Sequence, residues 1–356
     1  MLIVSTWYPS LAVPSAGSFV RADTETIAGA HRVKVIHLAP PEALGGVRQR
    51  EELDNVIRVP MSTSSPRAIH RAWQAIRPHI AEADIVHSHA FSTLLAFAGH
   101  DVQIPWVHTE HWSGVAEPQL LPARERLMLG ATGRLLDRPD VVTTVSTYLA
   151  ERVTKYRNGE MIVVPPTVHP VRILPAPNDP GDVRIVGVGG LVPGKDPLMA
   201  LATVRELRRR GVPARMEWVG DGPLRAPLEA AIGPDGEMTL LGIQDRQGVS
   251  DALDRADVFL LPTRGETLCL SAVEAIAHGR PVVMGDRGGQ RDYVRPDNGR
   301  LVGARNASAY ADAVVDVLSE ARVASTVAST IGNRFWPENV LAGYERAYER
   351  AHALRS

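Results

Sequence analysis

Residues 258–278, with the sequence VFLLPTRGETLCLSAVEAIAH, contain a short apolar run, a polar loop and a helical pattern in that order. The run 258–261 has the length of a buried strand, and residues 270–278 have the length and composition of a helix. A strand that leads directly into a helix is the repeating unit of a parallel sheet covered by helices. This stretch therefore predicts an α/β fold around it.

The same alternation of apolar runs and helical patterns continues on both sides of this unit. The rest of the second half is predicted to form strands at 184–188, 215–219, 238–241 and 281–284, and helices at 197–210, 223–231 and 247–255. The first half is predicted to form strands at 1–7, 33–38, 56–59, 84–87, 106–108, 141–145 and 161–164, and helices at 18–30 and 65–81. Ser146 is predicted to cap a further helix that runs to about residue 157. The pattern is typical of doubly wound parallel sheets.

Residues 165–182, rich in Pro, Asn, Asp and Gly, interrupt this alternation and are the predicted interdomain linker. A chain of 356 residues also exceeds what one hydrophobic core usually organises. We therefore predict two Rossmann-like doubly wound domains, residues 1–170 and 171–336, that face a cleft. A long polar helix is predicted within the remaining residues, 337–356.

Composition and charge limit the class of function. Apolar residues make up 44% and charged residues 22% of the chain, as in ordinary globular proteins. The formal net charge is −1, and acidic and basic residues also balance within residues 1–170, so a nucleic-acid partner is not expected and membrane contact is expected to be peripheral at most. The start of the chain lacks the features of a secretory signal, and no apolar run is long enough to span a bilayer. A cytoplasmic location is the simplest expectation.

Predicted strand ends in the second half contain the residues that a phosphate site needs. Glycines at 189, 190 and 194 allow the backbone to approach a phosphate, and Lys195 adds a positive charge. Residues 220–223, Gly-Asp-Gly-Pro, form a second tight turn before a helix. In an open α/β sheet, ligands bind at the carboxyl ends of the strands, so these turns are candidate phosphate contacts.

The loop after the 258–261 strand is the most informative of these strand ends. Residues 267–270 are predicted to form a helix N-terminus whose free N–H groups suit a diphosphate. Glu274, inside the helix, would accept hydrogen bonds from ribose hydroxyls, and Glu266, in the loop, would lie beside a sugar. Each feature alone also has a purely structural explanation, as a turn, a solvated lysine or a complement to the helix dipole. Their combination in one Rossmann-like half favours a nucleotide site.

Four histidines, His87, His89, His108 and His111, lie near two predicted strand ends in the first half. So many imidazoles suggest a metal site, but the chain has no HExxH motif and no acidic triad. The single cysteine, Cys269, also excludes a multi-cysteine metal site. We therefore expect no metal and no cofactor, polar contacts to a substrate, and a structural role for at least His87 and His108.

Taken in order, these motifs resemble the retaining glycosyltransferases of family 4, which have the GT-B fold. The strongest match is the family's glutamate pair, Glu266 and Glu274, with seven residues between them. The resemblance runs through nearly the whole chain and includes residues 8–9, 17–19, 84–89, 107–111, 145–146, 164–168, 189–195, 220–223, 279–283, 288–289 and 298–299. It also implies that the C-terminal helix crosses back to the first domain.

The resemblance implies roles for individual residues. Lys195 and the N–H groups of Thr267, Leu268, Cys269 and Leu270 would contact the donor diphosphate. Glu274 would hold the ribose, and Glu266 would lie near the transferred sugar ring.

Further roles implied by the resemblance belong to other loops. His111 would reach towards the sugar from the first domain. Ile243, after Gly242, would line the nucleobase pocket through its backbone. Gly17 and Ser18 would lie where the first loop meets the donor phosphate and the acceptor.

The chain departs from the family pattern in the donor site. Gly190 stands where the family usually has an arginine, so one phosphate-binding cation is missing, for which Arg264 or Arg287 are candidate substitutes. Thr267-Leu268-Cys269 stands where the family often has Gly-Phe-Gly, which changes the shape expected for the sugar pocket.

The implied function is that of a metal-independent, retaining glycosyltransferase. It would move a sugar from a nucleotide-sugar, with a UDP-sugar expected before a GDP-sugar, to a small-molecule or glycan acceptor. The alternatives are a GT-B enzyme of other chemistry, such as a nucleotide-sugar epimerase or a phosphorylase, and a non-catalytic nucleotide-sugar-binding partner.

Overall fold

The structure, a computed structural model, describes residues 1–44, 56–175, 181–320 and 322–356. The chain forms two compact units, of which the first combines Met1–Thr167 with Arg334–Ser356 and the second is Val168–Asn333. The predicted linker at 165–182 lies partly outside the described residues, because these stop at 175 and resume at 181.

The first unit contains a seven-stranded parallel sheet. Its strands are β1 (Leu2–Ser5), β2 (Lys34–Ala39), β3 (Val56–Pro60), β4 (Val86–His89), β5 (Trp106–Glu110), β6 (Val141–Thr144) and β7 (Glu160–Val163). Their order is β3-β2-β1-β4-β5-β6-β7, and Leu2 of β1 is paired with Lys34 on one side and Val86 on the other. The sheet therefore grows in both directions from β1, as in a doubly wound fold.

Helices cover this sheet, and side-chain caps begin two of them. They are α1 (Ser18–Ala28), α2 (Pro66–Ile80), α3 (Ser113–Ala116), α4 (Ala123–Thr132) and α5 (Thr147–Val153), with 3₁₀ helices at Pro41–Leu44, Phe91–Phe97, Pro118–Leu120 and Gly133–Asp137. Ser146 accepts a hydrogen bond from the N–H of Leu149, which confirms the predicted cap of α5. The helix ends at Val153, four residues before the predicted end, and the guanidinium of Arg157 beyond it donates to backbone carbonyls of the 136–140 segment.

The second unit contains a six-stranded parallel sheet in the order β10-β9-β8-β11-β12-β13. Its strands are β8 (Val183–Val188), β9 (Ala214–Val219), β10 (Met238–Gly242), β11 (Val258–Leu261), β12 (Val282–Gly285) and β13 (Gly299–Val302). Its helices are α6 (Pro197–Arg209), α7 (Arg225–Ala231), α8 (Arg246–Asp254), α9 (Leu270–Ala277), α10 (Ala307–Ser319) and α11 (Ala324–Ser329), with a 3₁₀ helix at Gly289–Asp292. The two parallel sheets confirm the predicted fold class, although β13, α10 and α11 have no counterpart among the predicted elements.

The last helix, α12 (Pro337–Ala353), belongs to the core of the first unit. Its buried face packs with residues of β1, β5 and β6, and it includes Val340, Tyr344, Ala347, Tyr348 and Ala351. Apolar and aromatic residues three and four positions apart make one face of the helix, so the remaining polar residues face solvent. Within the described ranges, no helix combines the length and the apolar character needed to cross a bilayer.

A buried carboxylate joins α1 to α12. Asp23 accepts hydrogen bonds from the N–H of Thr167 at 2.7 Å and from the hydroxyl of Tyr344 at 2.8 Å. Burial raises the pKa of Asp23 to about 6, although both hydrogen bonds act in the opposite direction. The folded state therefore binds this proton more tightly than the unfolded state does.

This raised pKa makes the stability of the first unit sensitive to pH. The stabilisation from the Asp23 proton is present below pH 4 and is lost as the pH rises towards and past 6. Between pH 4.5 and 7.5, we expect the Asp23 carboxyl to lower the unfolding free energy of the wild type by about 2 kcal/mol. The Asp23→Asn variant is expected to lack this decrease. Urea unfolding of both proteins at the two pH values measures it, and an equal pH dependence in the variant would contradict the assignment.

Candidate functional site

The structure brings together the loops that follow β8, β9 and β11. The N–H of Leu191 donates to the carbonyl of Asp221 at 3.0 Å, and the N–H of Arg264 donates to the carbonyl of Gly194 at 2.7 Å. Because β8 lies between β9 and β11 in the sheet, the carboxyl ends of all three strands lie at one edge. The predicted phosphate-binding segments therefore lie together at one edge of the second sheet.

Lys195 and Glu266 form an ion pair at the centre of this edge. The Lys195 Nζ lies 2.6 Å from Glu266 Oε1, and the Thr263 hydroxyl donates to the same carboxylate oxygen at 2.9 Å. Burial lowers the pKa of Lys195, but the charge and hydrogen bond of Glu266 outweigh it and the net shift is upward. Lys195 is therefore an ammonium ion at neutral pH. The sequence signal for Thr263 was only its position three residues before Glu266.

The backbone of Glu266 is held by the segment after β12. The N–H of Glu266 donates to the carbonyl of Arg287 at 3.1 Å, and its carbonyl accepts from Gly289 at 3.0 Å. Gly288, between them, has φ +122°, and a Cβ atom there would lie 2.0 Å from the Glu266 carbonyl oxygen. Only glycine fits this close approach, so Gly288 shapes the site. Gly288 belongs to the residues that carry the family resemblance but not to the predicted site residues.

The start of α9 differs from the prediction. The helix begins at Leu270, so Thr267 and Leu268 belong to the preceding loop and the predicted helix N-terminus at 267–270 is wrong for these two residues. Cys269 is the residue before the helix and adopts a left-handed backbone with φ 74°. The hydroxyl of Tyr293 lies 2.8 Å and 3.1 Å from the carbonyls of Leu268 and Cys269, which turns these carbonyls towards the protein interior.

Cys269 is expected to be chemically inert in the folded protein. Its side chain is buried, and burial raises the pKa of the thiol to about 11. Because the thiolate is the reactive form, we expect a disulfide reagent at pH 8 to react at least about a hundredfold more slowly than with a free thiol. Absorbance of the released thiol measures the rate, with protein in guanidinium chloride as the fast control. Rapid labelling of the native protein would show that the loop opens readily.

Glu274 lies in the second turn of α9, and Ile243 follows β10, the strand next to β9. Burial raises the pKa of Glu274 to about 7, and the nearby charge of Arg246 counteracts only part of this shift. Ile243 is 57% exposed and follows Gly242, whose carbonyl accepts from the N–H of Gly220 at 2.8 Å. A carboxylate that is partly ionised at neutral pH and an exposed residue after β10 are thus candidates for further contacts of a ligand.

The position of Gly190 has room for a side chain. A Cβ atom there would have its nearest neighbours, in Asp221 and Val192, at 3.7 Å. Of the two candidate substitutes for the missing arginine, Arg264 donates to the Asp196 carboxylate at 3.2 Å, which Arg305 also contacts. Arg287 is exposed. Lys195, in contrast, is directly bonded to Glu266.

His87, His89, His108 and His111 form a buried polar cluster in the first unit. The two ring nitrogens of His87 lie 2.9 Å from the Tyr348 hydroxyl and 2.7 Å from the Thr109 hydroxyl. His108 Nδ1 lies 2.9 Å from the Ser88 hydroxyl. His87 and His108 are thus both hydrogen-bonded to buried side chains of the first unit. In the part of the chain that is described, no group of three His, Cys, Asp or Glu side chains has the arrangement of metal ligands.

His111 lies at the edge of this cluster, close to the first loop. Its Nε2 is 3.3 Å from His89 Nδ1, and its ring centroid is 4.9 Å from that of Phe19. Burial, with a smaller contribution from His108, lowers the pKa of His111 to about 3. At neutral pH, His111 is therefore an uncharged hydrogen-bonding group.

Gly17 is the N-cap of helix α1, and Ser18 begins the helix, close to this cluster. Gly17 has φ 67°, and a Cβ atom there would lie 2.3 Å from the carbonyl carbon of Trp7. The first loop therefore needs glycine at this position in order to fold against Trp7. Ser18 is the first residue of α1 and is exposed.

Two family models match the chain. The model for Glycosyltransferase Family 4 matches residues 24–172, and the model for Glycosyl transferases group 1 matches residues 182–320. Together they cover most of both units.

Curated relatives carry related names. The chain is 30% identical over 213 residues to a GDP-mannose-dependent alpha-(1-6)-phosphatidylinositol dimannoside mannosyltransferase of Mycobacterium tuberculosis, a match that covers 56% of this chain and 55% of that protein. The chain thus spans about half the length of this relative. It is 28% identical over 304 residues to a 2-deoxystreptamine glucosyltransferase of Streptomyces kanamyceticus, covering 74% and 78% of the two chains.

Solved structures share the fold over nearly the whole chain. Alr3699/HepE of Anabaena, in complex with UDP and glucose, has a TM-score of 0.75 at 14% identity and covers 98% of this chain and 99% of that one. The apo form of the lipopolysaccharide outer core galactosyltransferase WaaB has a TM-score of 0.73 at 16% identity, with 98% and 99% covered. The fold and the two family models identify the chain as a member of the family 4 glycosyltransferases, with the GT-B fold.

Proposed function

We propose that this protein transfers a sugar from a nucleotide-sugar donor to a hydroxyl group of an acceptor. The observation that carries the proposal is the Lys195–Glu266 ion pair at the carboxyl edge of the second sheet, directly before α9. A lysine ammonium has three N–H donors, so Lys195 can retain Glu266 and still donate to a diphosphate. The carboxylate would then lie beside the sugar attached to that diphosphate.

The proposed reaction retains the anomeric configuration. The bond between the anomeric carbon and the phosphate oxygen breaks, and the charge that develops on the diphosphate is stabilised by Lys195 and by backbone N–H groups at the start of α9. The acceptor oxygen forms its bond from the same face, and its proton passes to the leaving phosphate oxygen. Glu266 orients the sugar and stabilises positive charge on its ring. No metal ion is needed for these steps.

His111 is proposed to serve the substrate as a neutral hydrogen-bonding group. Because the pKa of His111 is lowered, its side chain is not an imidazolium cation at neutral pH. One nitrogen faces His89, so the other remains to contact a sugar hydroxyl. The orientation of this ring would then affect the rate of transfer more than the affinity for the nucleotide.

The relatives widen the range of donors and acceptors that we propose. Relatives named as GDP-mannose-dependent have higher identity to the chain than the structural neighbours that hold UDP, so GDP-sugars stand beside UDP-sugars as candidates. The relatives' names include phosphatidylinositol mannosides, inositol 3-phosphate and 2-deoxystreptamine. We therefore propose a polyhydroxylated small molecule or a glycan as acceptor and include cyclitols in the first screen.

Calorimetric titration with UDP-, GDP- and dTDP-sugars tests the proposal. We expect one donor to bind saturably, EDTA to leave binding unchanged, and Glu274→Ala to weaken it at least about tenfold, because ribose hydroxyls lose an acceptor. Since the pKa of Glu274 is raised to about 7, binding is also expected to weaken from pH 8 to pH 6 as the carboxylate becomes protonated. An absence of binding by all donors would contradict the proposal.

The alternatives predict different turnover once a donor is known. Isomerisation of the donor without any acceptor would indicate an epimerase, and dependence on inorganic phosphate would indicate a phosphorylase. Gly190 specifically favours the non-catalytic alternative, because it leaves the site with one cation fewer than the family pattern. Tight donor binding without transfer to any acceptor or to water would support that alternative.

A further inference from the structure

Glu110, the last residue of β5, has a fully buried carboxylate that is bonded to the backbone of the next two residues. Its Oε1 accepts the N–H of His111 at 2.8 Å and the N–H of Trp112 at 2.7 Å. These two amides form the turn from β5 into α3. The carboxylate thus fixes the backbone from which the His111 side chain projects.

A chain of buried donors reaches the other oxygen of the same carboxylate. The indole N–H of Trp106 lies 2.8 Å from the Ser88 hydroxyl, and this hydroxyl lies 2.9 Å from His108 Nδ1. His108 Nε2 lies 3.4 Å from Glu110 Oε2.

The direction of these hydrogen bonds follows from their chemistry. A carboxylate oxygen only accepts, so His108 donates from Nε2 to Glu110, and its Nδ1 accepts the proton of Ser88, whose oxygen in turn accepts from the indole N–H of Trp106. The imidazole proton of His108 is then on Nε2 and points at Glu110. The carboxylate therefore receives three N–H groups and lies at the end of an oriented network.

The His111 ring is held separately, from other directions. His89 contacts its Nε2 at 3.3 Å, and the rings of Phe19 and Trp7 lie 4.9 Å and 6.4 Å from its centroid. These neighbours restrict the ring, whereas Glu110 restricts the main chain that carries it. A shift of the turn would move the imidazole even if its ring neighbours stayed in place.

We propose that Glu110 is a positioning residue for the reaction and acts through His111. The proposal rests on the proposed function, in which the neutral His111 imidazole contacts the substrate. Glu110 itself would touch no substrate. A purely structural carboxylate, which only stabilises the turn into α3, would affect unfolding without acting through His111.

The first experiment measures the release of free sugar from UDP-glucose or GDP-mannose, whichever binds, with water as acceptor. We expect Glu110→Ala to lower kcat about a hundredfold, since a displacement of about 1 Å at a catalytic group has such an effect, and to leave the donor dissociation constant unchanged. Glu110→Gln is expected to recover most of this loss, because its amide oxygen can still accept both backbone N–H groups and His108 can take the tautomer whose Nε2 accepts from the new amide N–H. The double variant Glu110→Ala/His111→Ala is expected to be no more than about threefold slower than His111→Ala alone, because Glu110 acts through His111 and the two losses therefore do not add.

A second measurement does not depend on turnover. The His111 imidazole signals, assigned by their absence in His111→Ala, are expected to shift and broaden in the NMR spectrum of Glu110→Ala. Asp23→Asn is the matched control, because Asp23 is also a fully buried carboxylate of the first unit that accepts a backbone N–H. It is expected to leave kcat and the His111 signals unchanged.

The outcomes separate this proposal from the proposed function. Unchanged His111 signals in Glu110→Ala, or additive losses of kcat in the double variant, would overturn the positioning role. If the wild type releases no sugar from any donor while the His111 signals still move in Glu110→Ala, the proposed function fails and the structural coupling of Glu110 to His111 stands.

Discussion

Replacing Lys195 with alanine is expected to lower turnover at least about a hundredfold while the protein stays folded. Removal of one preorganised group that stabilises transition-state charge typically costs about 3–4 kcal/mol. The variant also leaves Glu266 with the Thr263 hydroxyl as its remaining side-chain donor. The loss is therefore expected in kcat as well as in donor affinity.

Sugar release from the bound donor measures this effect, and thermal unfolding checks that the fold survives. Lys155→Ala is the control, since Lys155 is an exposed lysine of the first unit. Glu266→Ala is expected to cause a loss of at least the same size, whereas Glu266→Gln, which retains a hydrogen-bond acceptor, is expected to fall between it and the wild type. Near-normal rates in Lys195→Ala or Glu266→Ala would contradict the assignment of the site.

Replacing Gly288 with alanine is expected to disturb the site without removing any charge from it. The new Cβ would lie 2.0 Å from the Glu266 carbonyl oxygen, at a backbone φ of +122° that side chains rarely adopt. The hydrogen bonds that join Glu266 to Arg287 and Gly289 must therefore open. We expect a loss of about a hundredfold in kcat from displacement of Glu266, and a decrease of about 1–3 kcal/mol in unfolding free energy.

Gly303→Ala provides the matched control. Gly303 belongs to the same unit, and a Cβ atom there would meet nothing within 4 Å. Kinetics and urea unfolding of the two alanine variants are compared with the wild type. If Gly288→Ala behaved like Gly303→Ala, the pairing between the Glu266 loop and the segment after β12 would not be needed for the site.

Most of the elements were predictable because their signals are local. Apolar runs at strand length, helical spacing and capping residues such as Ser146 involve only neighbours in the chain. Helix α10 had such a signal too, since Asn306 accepts from the N–H of Ala309 and the buried residues Tyr310, Ala311, Val314 and Val317 lie on one face. Strand β13, with only four residues and a glycine at its start, had a much weaker one.

The sequence was sufficient to predict which loops contribute to the candidate site, but not which of their side chains and carbonyls contact one another. The order of the motifs identified Lys195, Glu266 and Glu274 as candidates. It did not predict that Thr263 would bond Glu266, or that Tyr293 would turn two carbonyls inward before α9. The predicted helix start was wrong at Thr267. The preceding residue, Glu266, pairs with Gly288 in the segment after β12, and helix propensity, which depends on local sequence, carries no information about this pairing.

The sequence by itself determined that this chain has two parallel-sheet α/β halves, which segments follow its strands, and which family it resembles. Only the tertiary structure decided which distant residues meet: Lys195 with Glu266 across neighbouring strand ends, Asp23 with Tyr344, and Glu110 with the backbone of His111 and a network that begins at Trp106. Periodicity and capping depend on residues a few positions apart. Strand order, burial and the pKa shifts that burial causes depend on neighbours that chain folding alone brings together.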